Sequence, residues 1–306
     1  MPESKSNFAD RLSDAIRRKG SPIAIALDPV FDSLPQEIQQ GRSQFDAVMV
    51  FCREVLDIIS PTAPVVKINS AYFECYGWQG VRGYFELVAE ARGRGLIVIG
   101  DVKRGDVGHT AQMYAQAHLA DVDGEPRPDA VTVSGYFGID GVKPFIDIAR
   151  DQGKGLFVLV RTSNPSAAQL QDGQMADGRM LHEKMAEQVA SWADDDSDRS
   201  AMGYSSIGAV VATRDPIAAA KLRQALHRSI LLIPGYGAQG GKAADYRPYF
   251  DARRQGALIA AGRSVIFAYH DAPAEHGNWR ATIDAACKNM ATDVADLVKS
   301  GPSTPT

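Results

Sequence analysis

The chain reads as an α/β protein, a single (β/α)8 TIM barrel. Short apolar runs rich in β-branched residues alternate with longer segments of helical periodicity, which is how a parallel sheet buried under helices is written in sequence. The runs number eight, the count that closes a barrel. At 306 residues the chain is long enough for one barrel and its helices.

In order, a helix over roughly 7–19 precedes the first strand and is expected to close the bottom of the barrel. The strands are IAIALD (23–28), VVKIN (65–69), LIVIGDVK (96–103), AVTVS (130–134), GLFVLVRTS (155–163), IGAVVAT (207–213), SILLIP (229–234) and ALIAAG (257–262). Between them, segments such as 45–59, 84–95 and 216–227 space apolar residues three or four apart, as outer helices do. The stretch 164–206 is long for a strand-to-helix connection and carries DGQMADGR before a helix from about 180 to 194. A lid, a dimer contact and a neutral insertion are all open for it. Residues 1–299 are expected to form one domain, and the polar, Pro-rich SGPSTPT (300–306) a flexible tail.

Composition narrows the function. Hydrophobic residues make up 45% and charged ones 23%, as in soluble globular proteins. The net charge of −4 is spread without any dense block of Lys and Arg, which argues against nucleic-acid and membrane partners. The start MPESKSNFADRL has no basic segment followed by an apolar run, and no run of about 18 apolar residues exists, so a cytoplasmic protein is expected. Cys52, Cys75 and Cys287 are far apart and lack Cys-x-x-Cys spacing; all three are expected to be buried or half-buried thiols. His109 and His270 have no partner at ligand spacing, and Met175, Met180 and Met185 read as packing in the long connection.

The chemistry of a parallel barrel sits at the C-terminal ends of its strands. Four of the apolar runs carry charge there: Asp28, Lys67, Asp101 with Lys103, and Arg263. One such charge is usually a residue facing water, but several converging ones mark a site. Asp101 and Lys103 are two apart, so on a regular strand both point into the barrel mouth. Asp106 falls where the next helix should begin, either capping it or joining the site, with Thr110 four residues on.

GDVKRGDVGHT (100–110) resembles the Asp-x-Lys-x-x-Asp signature of orotidine 5′-monophosphate decarboxylases, with Lys67 where the family has a second lysine on the preceding strand. ALDP (26–29) resembles the motif whose aspartate binds ribose, TSNP (162–165) the loop whose serine meets the pyrimidine, PGYGAQGG (234–241) the phosphate-side loop, and GRSVIF (262–267) the motif whose arginine binds phosphate. The likeness covers every active-site strand in the family's order. Asp-Val-Gly-His-Thr replaces the commoner Asp-Ile-Pro-x-Thr, as in the longer bacterial branch, and leaves the course of 164–206 open.

The resemblance implies decarboxylation of orotidine 5′-monophosphate to uridine 5′-monophosphate, the last step of de novo pyrimidine nucleotide synthesis, without metal or cofactor. It implies Lys67, Asp101, Lys103 and Asp106 as catalytic, and Asp28, Thr110, Ser163, Pro234, Gly235, Gly237, Gln239 and Arg263 as substrate-binding, with Asn69 and Thr213 as neighbours. It also implies a homodimer in which Asp106 and Thr110 reach the partner's barrel mouth, since a residue on a helix turning away outside the barrel is poorly placed to meet its own Lys103. The reaction leaves an electron pair in the plane of the base at C6, which a fixed ammonium can stabilise and protonate. Two ammonium and two carboxylate groups in alternation are nearly neutral as a set and can be held rigid. Magnesium-dependent sugar-phosphate enzymes on the same barrel share Asp-x-Lys-x-x-Asp but offer a carboxylate where this chain has Lys67, whose charge would repel the ion. A catalytically inactive nucleotide-binding barrel would be expected to have lost a charge of the set, and none is lost.

Overall fold

Eight parallel strands, β1 (Ile23–Leu27), β2 (Val65–Asn69), β3 (Ile97–Arg104), β4 (Ala130–Ser134), β5 (Gly155–Arg161), β6 (Ile207–Val211), β7 (Leu231–Pro234) and β8 (Ala257–Ala261), pair in chain order, and β8 pairs with β1 to close the barrel. The computed structural model describes residues 6–122, 124–195, 198–237, 242–271 and 278–299; the expected tail 300–306 lies outside these. Helix α1 (Phe8–Lys19) precedes β1. The strands are followed in turn by α2 (Gln44–Ile59), α3 (Gly77–Gly93), α4 (Gly108–His118), α5 (Ile139–Gln152), α6 (Leu181–Ala193) and α7 (Pro216–Ala225), then by a 3-10 stretch, Ala243–Tyr249, after β7, and by α8 (Trp279–Lys299) after β8. The helix expected over 84–95 starts seven residues earlier, at Gly77, because Gly80 and Gly83 let it pack where side chains would collide with the Phe73 carbonyl and with Phe45 and Met49.

Alternation along each strand splits the apolar residues into two cores. Ile23, Ile25 and Leu27 of β1 point outward with Val66 and Ile68 of β2 into the layer under the helices, while Ala24, Val65, Ile97, Ile99, Ala130, Phe157, Leu232 and Leu258 fill the barrel itself. Helix α1 belongs to the inner core through Phe8, Ala9, Leu12 and Ala15 and plugs the N-terminal mouth, as expected. It is capped by Asn7, whose Oδ1 accepts from Ala9 N at 2.7 Å, and ends at Gly20 in the left-handed region. Phe8 meets Phe157 edge-on, with ring centroids 6.0 Å apart, and covers Gly155, where a Cβ would stand 2.2 Å from the ring. Arg11 ties the helix to the barrel floor by an ion pair of 2.7 Å with buried Asp129.

Two expectations on side chains are corrected. Cys75 is exposed, because it lies just past a four-residue helix, Ala71–Glu74, at the surface. Met175 and Met180 are exposed too; only Met185, inside α6, packs against the core. The long connection 164–206 resolves into a short helix, Ala167–Leu170, a turn over 172–180, and α6, which is the ordinary outer helix between β5 and β6.

Because Phe8 is 1% exposed in the inner core and packs on Phe157 and Gly155, Phe8→Ala is expected to cost about 3–5 kcal/mol of stability. Urea unfolding of the variant beside wild type would measure this, and a loss under 1 kcal/mol would remove α1 from the core.

Candidate active site

The C-terminal mouth of the barrel gathers ionisable residues from β1, β2 and β3. Lys67 lies on β2 with its side chain inside the barrel, 7% exposed, and register places its neighbours Ala26 on β1 and Ile99 on β3. Its Nζ donates to Asp101 Oδ2 at 2.5 Å and stands 3.8 Å from Asp28 Oδ1. Asp101, 6% exposed on β3, accepts on its other oxygen from Lys103 Nζ at 2.6 Å and from Thr132 Oγ1 at 2.9 Å. One buried carboxylate thus bridges two ammonium groups. Burial alone would raise the Asp101 pKa, but the Lys67 and Lys103 charges outweigh it and hold the group down at about 2. Burial likewise works against charge on Lys67, and Asp101 and Asp28 overcome it, so the Lys67 pKa is raised.

Lys103 reaches Asp101 by a route that simple alternation does not foresee. It has φ of +44°, a left-handed conformation that costs a residue with a side chain roughly 1–2 kcal/mol. Here β3 advances four positions, from Gly100 to Arg104, while β4 advances two, from Val131 to Val133. The strand bulges, and the Lys103 N–H, taken off the ladder, donates to Thr132 Oγ1 at 3.0 Å. Thr132 therefore holds both Asp101 and the Lys103 backbone. It was not singled out from sequence; a polar residue at an inward position of AVTVS is the signal that could have found it.

Asp106 corrects an expectation. Helix α4 starts at Gly108 with Val107 as its N-cap, so Asp106 is neither a cap nor on one helix face with Thr110; its Oδ1 accepts from Val107 N at 2.8 Å. No ion pair joins Asp106 to Lys103 or to another charge among the described residues. Thr110 is exposed on α4.

Around this centre, the Asp28 Oδ1 is buried with no hydrogen-bond partner, an acceptor in waiting. The Asn69 Oδ1 accepts from Ala71 N at 3.2 Å, and the Thr213 backbone is bound by the Tyr249 hydroxyl. Ser163 is exposed in a loop whose ends are tied down: the Thr162 N–H donates to Gln171 Oε1 at 2.8 Å, and the Arg161 guanidinium grips Asp172 with two bonds of 2.8 and 2.9 Å. Arg161, Gln171 and Asp172 were missed from sequence because they pair across a turn with no motif.

On the far side, Arg263 begins a short helix after β8, exposed and without an ion pair among the described residues. The β7 loop packs against it: Ser264 Oγ donates to Tyr236 O at 2.8 Å, and a side chain at Gly237, φ +70°, would collide with Ser264. Of the phosphate-side loop that the resemblance implies binds substrate, Pro234 and Gly235 have no backbone N–H left for an anion. Proline has none, and the N–H groups of Gly235 and Tyr236 both donate to Ala260 O, leaving that of Gly237 without a described partner. Gln239 lies outside the described residues. Among the described residues, no three His, Cys, Asp or Glu side chains gather as a metal site would require.

A family model described as orotidine 5′-phosphate decarboxylase / HUMPS matches residues 22–276, from the first strand to beyond the last. The chain belongs to this family. It is 38% identical over 296 residues to the orotidine 5′-phosphate decarboxylase of Rhodopirellula baltica, a match covering 92% of this chain and 97% of the relative. The decarboxylase of Caldicellulosiruptor bescii is 33% identical, with 94% and 98% covered. Among solved structures, a putative orotidine 5′-phosphate decarboxylase from Streptomyces avermitilis superposes with a TM-score of 0.82 at 32% identity, covering 97% of this chain and 98% of that one. The whole barrel, rather than one motif, carries the family relation.

The charge bridge has a measurable consequence. With its pKa depressed in the fold, the Asp101 carboxylate contributes stability fully present above the usual value of 3.8 and lost as pH falls through about 2. Asp101→Asn, which leaves two ammonium groups facing a neutral amide, is expected to lose roughly 3 kcal/mol at pH 7. That difference should shrink between pH 4 and pH 2 in denaturant titrations; a gap constant across this range would mean the carboxylate is not held by its lysines.

Proposed function

We propose that the chain decarboxylates orotidine 5′-monophosphate to uridine 5′-monophosphate as a cytoplasmic enzyme of de novo pyrimidine nucleotide synthesis, using no metal or cofactor, with residues 1–299 as one catalytic domain. The observation that carries this reading is the Asp101 carboxylate held between the Lys67 and Lys103 ammonium groups at the barrel mouth. Magnesium-dependent chemistry on this barrel needs a carboxylate where Lys67 stands, and a buried cation there repels a second one.

Loss of carbon dioxide breaks the bond from C6 to the carboxyl carbon and leaves the electron pair on C6. The Lys103 ammonium, 49% exposed toward the mouth, is the group free to meet that carbon, stabilise the pair and donate a proton, after which its amine recovers a proton from water. Asp101 aims the lysine by accepting from its Nζ, and its charge lies near the departing carboxylate. Asp28, with a buried acceptor unmatched, suits a ribose hydroxyl. Ser163 suits the pyrimidine edge, and Arg263 with the Gly237 N–H and Gln239 suits the phosphate, a guanidinium matching phosphate oxygens in pairs.

Lys103→Ala removes a contact made mainly in the transition state, whereas Arg263→Ala removes one made from first binding. We expect Lys103→Ala to lower kcat by several powers of ten with ligand affinity retained, and Arg263→Ala to weaken uridine monophosphate binding by roughly 2–5 kcal/mol. The wild-type assay should run unchanged in EDTA. Turnover that chelation abolishes and magnesium restores would replace this reading with the sugar-phosphate one.

The site is completed by a second copy of the chain, with Asp106 and Thr110 facing the partner's Lys103. Asp106 has no charge partner among the described residues, and apolar surface lies beside it: Val107, Met113, Tyr136, Phe137 and Ile139 are exposed, with Phe137 packed against Gly105 and Gly141. An apolar rim of this kind beside an incomplete site suits a two-fold interface. Lys103→Ala and Asp106→Asn chains, refolded together, should form hybrids in about half the dimers and restore about a quarter of all sites. A dimeric mixture with hybrids seen by mass spectrometry, yet no more active than either parent, would place Asp106 in its own chain's site.

A further inference from the structure

The bulge that presents Lys103 is held from outside the barrel by the very next residue. Arg104 points outward and is gripped on all sides: Nη2 donates to Glu74 Oε1 at 2.5 Å, Nε to His118 Nε2 at 3.2 Å and Nη1 to Val102 O at 2.9 Å, while the Tyr114 ring lies 5.8 Å from the guanidinium carbon. These partners come from three places, the short helix Ala71–Glu74 after β2, the body and last residue of α4, and β3 itself.

The histidine indicates what the arrangement is for. To accept from Arg104, His118 must be neutral with its proton on Nδ1, and that Nδ1 is buried with no partner. Burial and the neighbouring Arg104 charge hold the His118 pKa down at about 4, which keeps Nε2 bare near neutrality. A ring placed only for packing need not leave a buried N–H unmade in order to offer its other nitrogen to a cation. Arg104 also re-enters the ladder opposite Val133 immediately after the Lys103 turn. The left-handed turn at Lys103 is therefore fixed at both ends, by Thr132 on its N–H and by Arg104 behind it.

We propose that Arg104, clamped by Glu74 and His118, is a positioning residue for the decarboxylation, holding the bulge so that the Lys103 ammonium stands at the pyrimidine C6. This rests on the reading of Lys103 as the proton donor. A displacement of the ammonium by about 1 Å is expected to cost about 100-fold in rate without loosening a ligand held elsewhere.

The test measures steady-state turnover of orotidine monophosphate and equilibrium binding of uridine monophosphate for wild type, Arg104→Met, His118→Leu and His118→Gln, together with crystal structures of wild type and the variants. Arg104→Met should lower kcat by about 100-fold with binding nearly unchanged, and Lys103 should leave its positive φ. His118→Gln, whose amide oxygen can accept from Arg104, should recover most of the rate that His118→Leu loses, and this pair carries the test if Arg104→Met fails to fold. An unchanged kcat, a glutamine no better than leucine, or Lys103 unmoved in the variants would overturn the proposal. If wild type leaves orotidine monophosphate untouched, the reaction assigned above falls, while the Lys103 backbone in the variant structures still decides whether Arg104 holds the bulge.

Discussion

A single carboxylate shared between two ammonium groups sets the terms for the rest of this molecule. Asp101 stays charged while 6% exposed because Lys67 and Lys103 each stand within hydrogen-bond distance, and the buried Lys67 in turn keeps its charge through Asp101. Removing Asp101 takes from the buried Lys67 ammonium its one hydrogen-bonded counter-charge, a loss larger than that of an exposed pair. The strands must therefore deliver three side chains to one point within a few tenths of an ångström. A closed barrel does this well, since its strands have no free edge along which register can slip.

The two cores divide the work of making that delivery rigid. The outer layer between strands and helices is nearly all aliphatic and aromatic and tolerates the usual exchange of one apolar residue for another. The inner core sets Ala24, Ala130 and Ala260 among larger residues such as Val65, Ile99, Phe157 and Leu232, and is closed below by Phe8. Near the top, Thr132 supplies the neutral hydrogen-bonding side chain that links Asp101 to the Lys103 backbone.

Around this centre the peripheral contacts belong to loops. The β5 loop is strapped to its own strand by Arg161–Asp172 and Gln171–Thr162, while the β7 and β8 loops are locked together through Ser264 and Gly237.

Much of this was legible in the chain. Parallel strands buried on both faces must be continuous apolar runs, so all eight could be read to within two residues, and charges that interrupt such runs at their ends had little to do but form a site. Lys67, Asp101, Lys103 and Arg263 stood out for that reason, and local pattern placed α1 and α6. What the sequence could not carry were contacts between residues far apart in the chain. The bulge at Lys103 depends on Thr132, 29 residues away, and on a grip around Arg104 that draws on Glu74 and His118. The start of α4 two residues after Asp106, and the use of the Gly235 and Tyr236 N–H groups on Ala260, were decided by packing between neighbouring strands and loops. Periodicity and composition report how each segment meets water and core; which donor meets which acceptor depends on closure of the barrel, and only the tertiary structure contains that.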